Sequence, residues 1–224
     1  MFVGPRMKRG LVTVTPGATL EEAARLLKAH RIHHLPVVEE GNRLAGIVSD
    51  TDLRNATLDG MFGGADRGDS GRPVTVGEIM TRDVVTLSPG DTLDDAMLAL
   101  SRERIGALPV VEGERLVGIV TKADILSALL STLDIEGLGV RIEVVLPRDV
   151  KEVARLVAVL GDLQVEVRSI VLAPHGADGY AAFVRVATID VASVRDRLRG
   201  KGFAVGELSD FYEGGDPASR LAGT

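Results

Sequence analysis

Cysteine is absent from this chain of 224 residues. That excludes disulfides, thiol nucleophiles and thiolate-bound zinc, and it fits a reducing compartment. Tryptophan is absent as well, and the aromatic side chains amount to two Tyr and five Phe, too few to give exposed bases a stacking platform. Basic runs are missing: 32 Asp and Glu outnumber 26 Lys and Arg, leaving a net charge of -6, which argues against nucleic acid as the main partner. No apolar run reaches the roughly 18 residues that a membrane-spanning helix needs, and the stretch from Met1 to Gly10 lacks a signal-peptide core. The expectation is a cytoplasmic protein with neither membrane nor nucleic acid as partner. Also missing are a Gly-rich phosphate loop, a Gly-x-Ser-x-Gly elbow and a spaced set of metal ligands, so no catalytic residue and no metal site are assigned and the chain is read as non-enzymatic. His30, His33 and His34 have a suggestive spacing, but the helix carrying His30 is expected to end near Arg31 and no carboxylate completes a ligand set. His175 stands alone in a loop.

What is present is a repeat. The stretch Met7 to Thr19 matches Met80 to Thr92, and carrying the alignment to Ala56 and Ala128 with one gap at Glu40 gives 25 identities in 49 pairs, where unrelated sequences would give roughly three. Each copy opens with a short expected strand, Val12 to Val14 or Val85 to Leu87, and a Pro-Gly turn. Thr19 with Glu22 then forms a capping box, and Thr92 with Asp95 its shorter analogue. Behind the caps, Leu20, Ala23, Ala24 and Leu27 recur at helical spacing, as do Leu93, Ala96, Met97 and Leu100. Leu35-Pro-Val-Val38 and Leu108-Pro-Val-Val111 follow, then the strands Leu44 to Val48 and Leu116 to Val120, then a second helix. The unit reads β-α-β-β-α, and one copy leaves an apolar sheet face bare, so two copies are expected to pack face to face.

The corners between last strand and last helix carry the candidate chemistry. Gly46-Ile-Val-Ser-Asp-Thr-Asp52 returns as Gly118-Ile-Val-Thr-Lys-Ala-Asp124. A hydroxyl at a helix start can share in holding phosphate with the unsatisfied N-H groups there, and a carboxylate three positions on can accept from a ribose diol. Ser, Thr and Asp are also ordinary capping residues, so either pair alone is explained by capping. The repetition is what favours binding.

Beyond the repeat the pattern changes. Val140, Ile142, Val144 and Leu146 alternate as a half-buried strand; Val150, Val153, Ala154, Val157 and Leu160 mark a helix that Gly161 is expected to stop. Val165 to Leu172 and Tyr180 to Ala187 read as a hairpin around the loop Pro174 to Gly179, Val191, Val194 and Leu198 as a second helix, and Ala204 to Leu208 as a last strand. The order is βαββαβ, an antiparallel sheet with helices on one face.

The doubled blocks Pro-Gly-x-Thr-Leu, Leu-Pro-Val-Val and Gly-Ile-Val-[Ser/Thr]-x-x-Asp resemble a tandem pair of CBS domains, a Bateman module. Residues 138–212 resemble an ACT domain by topology, and the order CBS-CBS-ACT is similar to that of the acetoin utilisation B family. The resemblance implies an α+β fold: two tandem β-α-β-β-α CBS units forming one module, followed by a βαββαβ ferredoxin-like ACT domain. The expected limits are 1–57 and 76–131 for the copies, a Gly-rich linker at 58–75, a connection at 132–139, the ACT domain at 140–212 and a flexible tail at 213–224. It implies a regulatory homodimer that senses an adenine nucleotide (AMP, ADP or ATP) as regulatory ligand, requires no cofactor and acts on a regulated protein, with a ligand-free oligomerisation adaptor as the alternative.

Carried over by position, the resemblance implies two shared clefts. Ser49 and Asp52 would be joined in one by Val85, Thr86, Ile105 and Ala107. Thr121 and Asp124 would be joined in the other by Val12, Thr13, Ile32, His34, Gly106 and Lys122. His33 and His34, replaced by Gly106 and Ala107 in the second copy, are expected to make the Ser49/Asp52 cleft the better one for phosphate. In the ACT region, Pro147-Arg148-Asp149 stands where amino-acid-binding members have a glycine, so dimerisation is the expected role there.

Overall fold

The computed structural model describes residues 1–62, 73–135, 137 and 139–206, and it divides into two units, Met1–Ala128 and Leu129–Thr224. Each holds a four-stranded antiparallel sheet with helices, the mixed α+β architecture expected. Most of the expected Gly-rich linker, the end of the expected last strand at Leu208 and the expected tail lie outside the described residues.

In the first unit, helix α1 (Leu20–His30) is set by its cap and its stripe. Thr19 accepts a hydrogen bond from the Glu22 N-H at 3.2 Å, Ala23 and Leu27 face inward, and Arg31 ends the helix in the left-handed region at φ 53°. Strands β1 (His34–Glu39) and β2 (Arg43–Ser49) form a hairpin, and β2 runs directly into α2 (Asp50–Phe62). After the short α3 (Val76–Ile79), the second copy repeats this as α4 (Leu93–Arg102), β3 (Ala107–Glu112), β4 (Arg115–Thr121) and α5 (Lys122–Thr132). Details recur with it: Arg104 copies Arg31 at φ 54°, and the register shift at Val37/Val38 returns at Val110/Val111. The caps differ from expectation. The reciprocal box forms at Thr92, where the shorter Asp95 carboxylate accepts from the Thr92 N-H at 3.0 Å, whereas Thr19 shows one half only.

The expected opening strands are reduced to single parallel bridges, Val14 with Val37 and Leu87 with Val110. The copies are joined in a way the repeat did not announce. The sheet order is β1-β2-β4-β3, yet β2 and β4 pair only at Arg43 and Arg115. The stronger tie is an exchange of leading segments. Lys8 bridges Ile119 on β4 of the second copy, and Thr81 bridges Ile47 on β2 of the first. Beside each bridge a methionine lies on a glycine: a Cβ on Gly46 would sit 2.7 Å from the Met80 sulfur, and one on Gly118 would sit 2.5 Å from the Met7 sulfur. Only glycine allows that approach. Val3 and Val76, fully buried, extend the equivalence of the copies to the start of each leader.

In the second unit, β5 (Val140–Pro147), α6 (Val150–Asp162), β6 (Glu166–His175), β7 (Gly179–Ala187), α7 (Val191–Gly200) and β8 (Ala204–Val205) give a sheet of order β6-β7-β5-β8. This is a ferredoxin-like path. Ile142, Val144 and Leu146 of β5 pack with Ala182, Val184 and Val186 of β7 against Leu156 and Leu160 of α6 and Leu198 of α7. Two expectations are corrected. The buried stripe of α6 runs through Leu156, Val159 and Leu160, while Val150 is 79% exposed and Val157 50%. The Asp149 cap fixes the helix start so that Val150 projects from the first turn. Gly161 lies inside the helix, and the left-handed residue after it is Gln164 at φ 53°.

Candidate functional site

At the end of β2, Asp52 turns back on its own corner. Its Oδ2 accepts from the Ser49 N-H at 2.8 Å and the Ser49 hydroxyl at 2.7 Å, while the Asp52 N-H donates to Ser49 Oγ at 3.2 Å. The corner after β4 repeats this: Asp124 Oδ2 accepts from the Thr121 N-H at 2.9 Å and hydroxyl at 2.6 Å, and its N-H donates to Thr121 Oγ1 at 3.3 Å. Both pairs are therefore reciprocal helix caps. Capping uses one carboxylate oxygen and leaves the other, Oδ1, for a further partner.

That second oxygen separates the two corners. Asp124 Oδ1 lies 2.9 Å from Lys8 Nζ. The position related to Lys8 by the repeat is Thr81, which carries no charge. Burial works to raise the Asp124 pKa and is the largest single influence, but the Thr121 hydroxyl, Lys8 and the Thr121 N-H together outweigh it and hold the carboxyl below its ordinary value.

A cavity of about 760 Å³ opens in front of the Thr121 corner. Of the residues expected there, Val12, Ile32, His34, Gly106, Thr121 and Lys122 line it, Thr13 is not among the lining residues, and Asp124 reaches it through Lys8, which is. His33 lines the same cavity. The two histidines are set between the corners rather than in the Ser49 cleft alone. The His33 carbonyl accepts from the Asp50 N-H at 3.1 Å, His33 Nδ1 lies 3.3 Å from Asp50 Oδ2, and His34 pairs with Ser49 across β1 and β2. The His34 ring also leans over Gly106 so closely that a Cβ there would sit 2.7 Å from it. Burial lowers the His34 pKa against the opposing pull of Asp50, which favours the neutral ring at pH 7. Asp50 itself is held below the usual carboxylate range: desolvation pushes it up, and the His33 hydrogen bond and the Arg54 charge prevail.

The remaining residues expected around Ser49 and Asp52, namely Val85, Thr86, Ile105 and Ala107, occupy the positions related by the repeat to Val12, Thr13, Ile32 and His34. Val85 is 40% exposed and Ala107 buried. A second cavity, of about 800 Å³, lies between α1 and α2 and shares His33 and Asp50 with this corner. Among the described residues no group of three or more His, Asp or Glu is placed to hold a metal ion.

Sequence reasoning missed Lys8, Arg9 and Arg31, all of which line the cavity in front of Thr121. The signal for Lys8 was present in the repeat, where Met7-Lys8 aligns with Met80-Thr81 and a charge appears in one copy only. Arg31 was visible as a helix end but not as a cleft residue, because its left-handed backbone decides where its side chain goes.

Comparison with known proteins bears on the repeat and its fold. The CBS domain model matches residues 3–59 and 76–131, together half of the chain. A CBS domain-containing protein of Dictyostelium discoideum is 36% identical over 138 residues, which is 60% of this chain and 94% of that protein. Among solved structures, a Vibrio cholerae protein assigned to acetoin utilization is 29% identical with a TM-score of 0.53, covering 61% of this chain and 96% of its own. CBSX2, solved in complex with AMP, is 28% identical with a TM-score of 0.50 over 58% of this chain and 96% of its own. A CBS domain pair solved with 5'-methylthioadenosine and S-adenosyl-L-methionine is 31% identical with a TM-score of 0.50 over 58% of this chain and 99% of its own. Two matched copies, two capped corners and these likenesses lead to one conclusion: the chain belongs to the CBS domain family and carries two CBS domains in tandem.

Proposed function

We propose that the CBS pair is a regulatory sensor of an adenine nucleotide with no catalysis of its own. The observation that carries this reading is the cavity of about 760 Å³ that ends on the first turn of α5. Val12, Ile32 and Ile119 give it an apolar wall for a flat base, and Thr121 and Lys122 bring hydroxyl, N-H groups and an ammonium to the place a phosphate would take. A ribose diol binding Asp124 Oδ1 would release Lys8, whose side chain is 61% exposed and free to turn toward phosphate. The AMP complex of CBSX2 supports the choice of ligand class.

In the same proposal the second unit, from residue 140 to 212, acts as an ACT-type domain for dimerisation. Regulated partners would include one in acetoin utilisation, a reading supported by the likeness to the Vibrio cholerae protein. A partner whose activity depends on the bound nucleotide must alter nucleotide affinity in return. Titration calorimetry on the whole chain with AMP, ADP and ATP tests the ligand. Asp124→Ala removes a charge-assisted bond worth about 1.5–3 kcal/mol and is expected to weaken binding about 10- to 100-fold. Wild-type affinity in Asp124→Ala would sink the site assignment. No binding at all would leave a ligand-free adaptor as the function.

A further inference from the structure

We infer that the two repeat-related clefts have diverged in charge, and that the chain holds one anionic, phosphorylated nucleotide, in the cleft of Thr121 and Lys122, while the cleft of Ser49 and Asp50 rejects phosphate. The inference rests on the nucleotide reading and adds which cleft, which ligand charge and how many per chain.

The repeat itself supplies the comparison. Lys8, Arg9, Arg31 and Lys122 line the Thr121 cavity, and none of its lining residues is Asp or Glu. At the related positions stand Thr81, Arg82, Arg104 and Asp50. Two more cavity positions change against phosphate: His30 is matched by Glu103, and Gly10 by Asp83. Four cations thus become two Arg against three carboxylates, in a chain whose copies are otherwise half identical. Lys122 and Asp50 are the sharpest case, because each opens the helix whose first N-H groups would meet the ligand. A cation there adds to the positive helix end, and a carboxylate cancels it. Of the two Arg at the related positions, one is already engaged, and Asp50 is itself paired. Arg82 donates to the Gly77 carbonyl at 2.7 Å, and Asp50 is shared by Arg54 at 3.2 Å and His33 at 3.3 Å. His33 and His34, expected to draw phosphate to the Ser49 side, both line the Thr121 cavity, and His33 lines the cavity between α1 and α2 as well.

The test is titration of the whole chain with ATP, AMP and adenosine, wild type against Lys122→Asp. Lys122 is exposed and Asp suits the first turn of a helix, so the variant keeps its fold. The expected result is one ATP per chain, bound more tightly than AMP and AMP more tightly than adenosine. In Lys122→Asp, ATP weakens about 10- to 100-fold, as for loss of a charge-assisted bond, and adenosine is nearly unchanged. Two ATP per chain of similar affinity, or equal loss of ATP and adenosine in the variant, would overturn the charge assignment and leave nucleotide sensing standing. Failure of all three ligands to bind the wild type would overturn both.

Discussion

At the ends of β2 and β4 the same three hydrogen bonds form, with lengths that agree within 0.1 Å: 2.8 and 2.9 Å, 2.7 and 2.6 Å, 3.2 and 3.3 Å. One residue further on, the first copy has Asp50 where the second has Lys122, and on the exchanged leaders Thr81 stands where the other copy has Lys8. The comparison sorts the two roles that the sequence could not separate. What the copies share is the capped corner, and a cap serves the fold in either copy. What they do not share is the charge around it, which the fold does not need and a ligand would feel. Ser49, Asp52, Thr121 and Asp124 are therefore poor witnesses to binding by themselves, and Lys8 and Lys122 are better ones.

The largest expected effect tests whether the copies are one structural body. Leu35 and Leu108 are related by the repeat and fully buried. Truncating either to Ala is expected to cost about 2–5 kcal/mol. Because each hairpin is completed by the leader of the other copy, Leu108→Ala should speed amide exchange in β2 as well as in β4, and Leu35→Ala in both as well. Faster exchange confined to the mutated copy would show that the copies unfold separately, and the exchange of leaders would then be incidental.

Next in size are the two glycine seats. Gly46→Ala and Gly118→Ala each drive a Cβ into a methionine and, at Gly46, also to 2.8 Å from the Thr81 carbonyl oxygen. Overpacking of this kind costs about 1–3 kcal/mol. Thermal melting should fall in both variants, and further for Gly46→Ala, where backbone rather than a flexible side chain must move. An equal or smaller loss there would mean that the Thr81 leader yields more readily than its paired bridge to Ile47 suggests.

Much of this was legible in the residues, and the misses have physical causes. The repeat, the two capped corners and the βαββαβ order followed from spacing, because helix stripes and strand alternation are local properties. The exchange of leaders was not, because Lys8 pairing with Ile119 depends on which copy's edge a short segment meets, and one bridge leaves no period. The stripe of α6 was misassigned for a related reason. Val150 and Val157 fit one helical face and Leu156 and Val159 another, and only the sheet beneath decides between them. Lys8 and Arg9 escape the sequence pattern for the same reason as the leaders: their place on the Thr121 cavity follows from the one bridge between Lys8 and Ile119.

The smallest expected effect is a difference in pH dependence between the copies, and its sign is fixed by burial. The His34 pKa is lowered from 6.5 chiefly by burial; Asp50 and Asp52 oppose this and His33 adds to it, while Lys8, Arg31 and Lys122 share the cavity it lines. The unfolded chain then takes up a proton at higher pH than the folded one, so stability is present in full above pH 6.5 and is lost as pH falls from there toward the folded value. Asp124 contributes in a separate, lower window. Its depressed pKa gives stability that is present above the unfolded carboxylate value near about 4 and lost as pH falls through the folded one. The repeat offers the control, since the residue related to His34 is Ala107, which does not titrate. Melting curves taken from pH 7.5 down to pH 5 (about one unit either side of an ordinary histidine) should decline more steeply in the wild type than in His34→Ala, the substitution that gives the first copy the side chain of the second. Equal slopes would mean that His34 is hydrated in the folded chain, and the neutral ring over Gly106 would have to be abandoned.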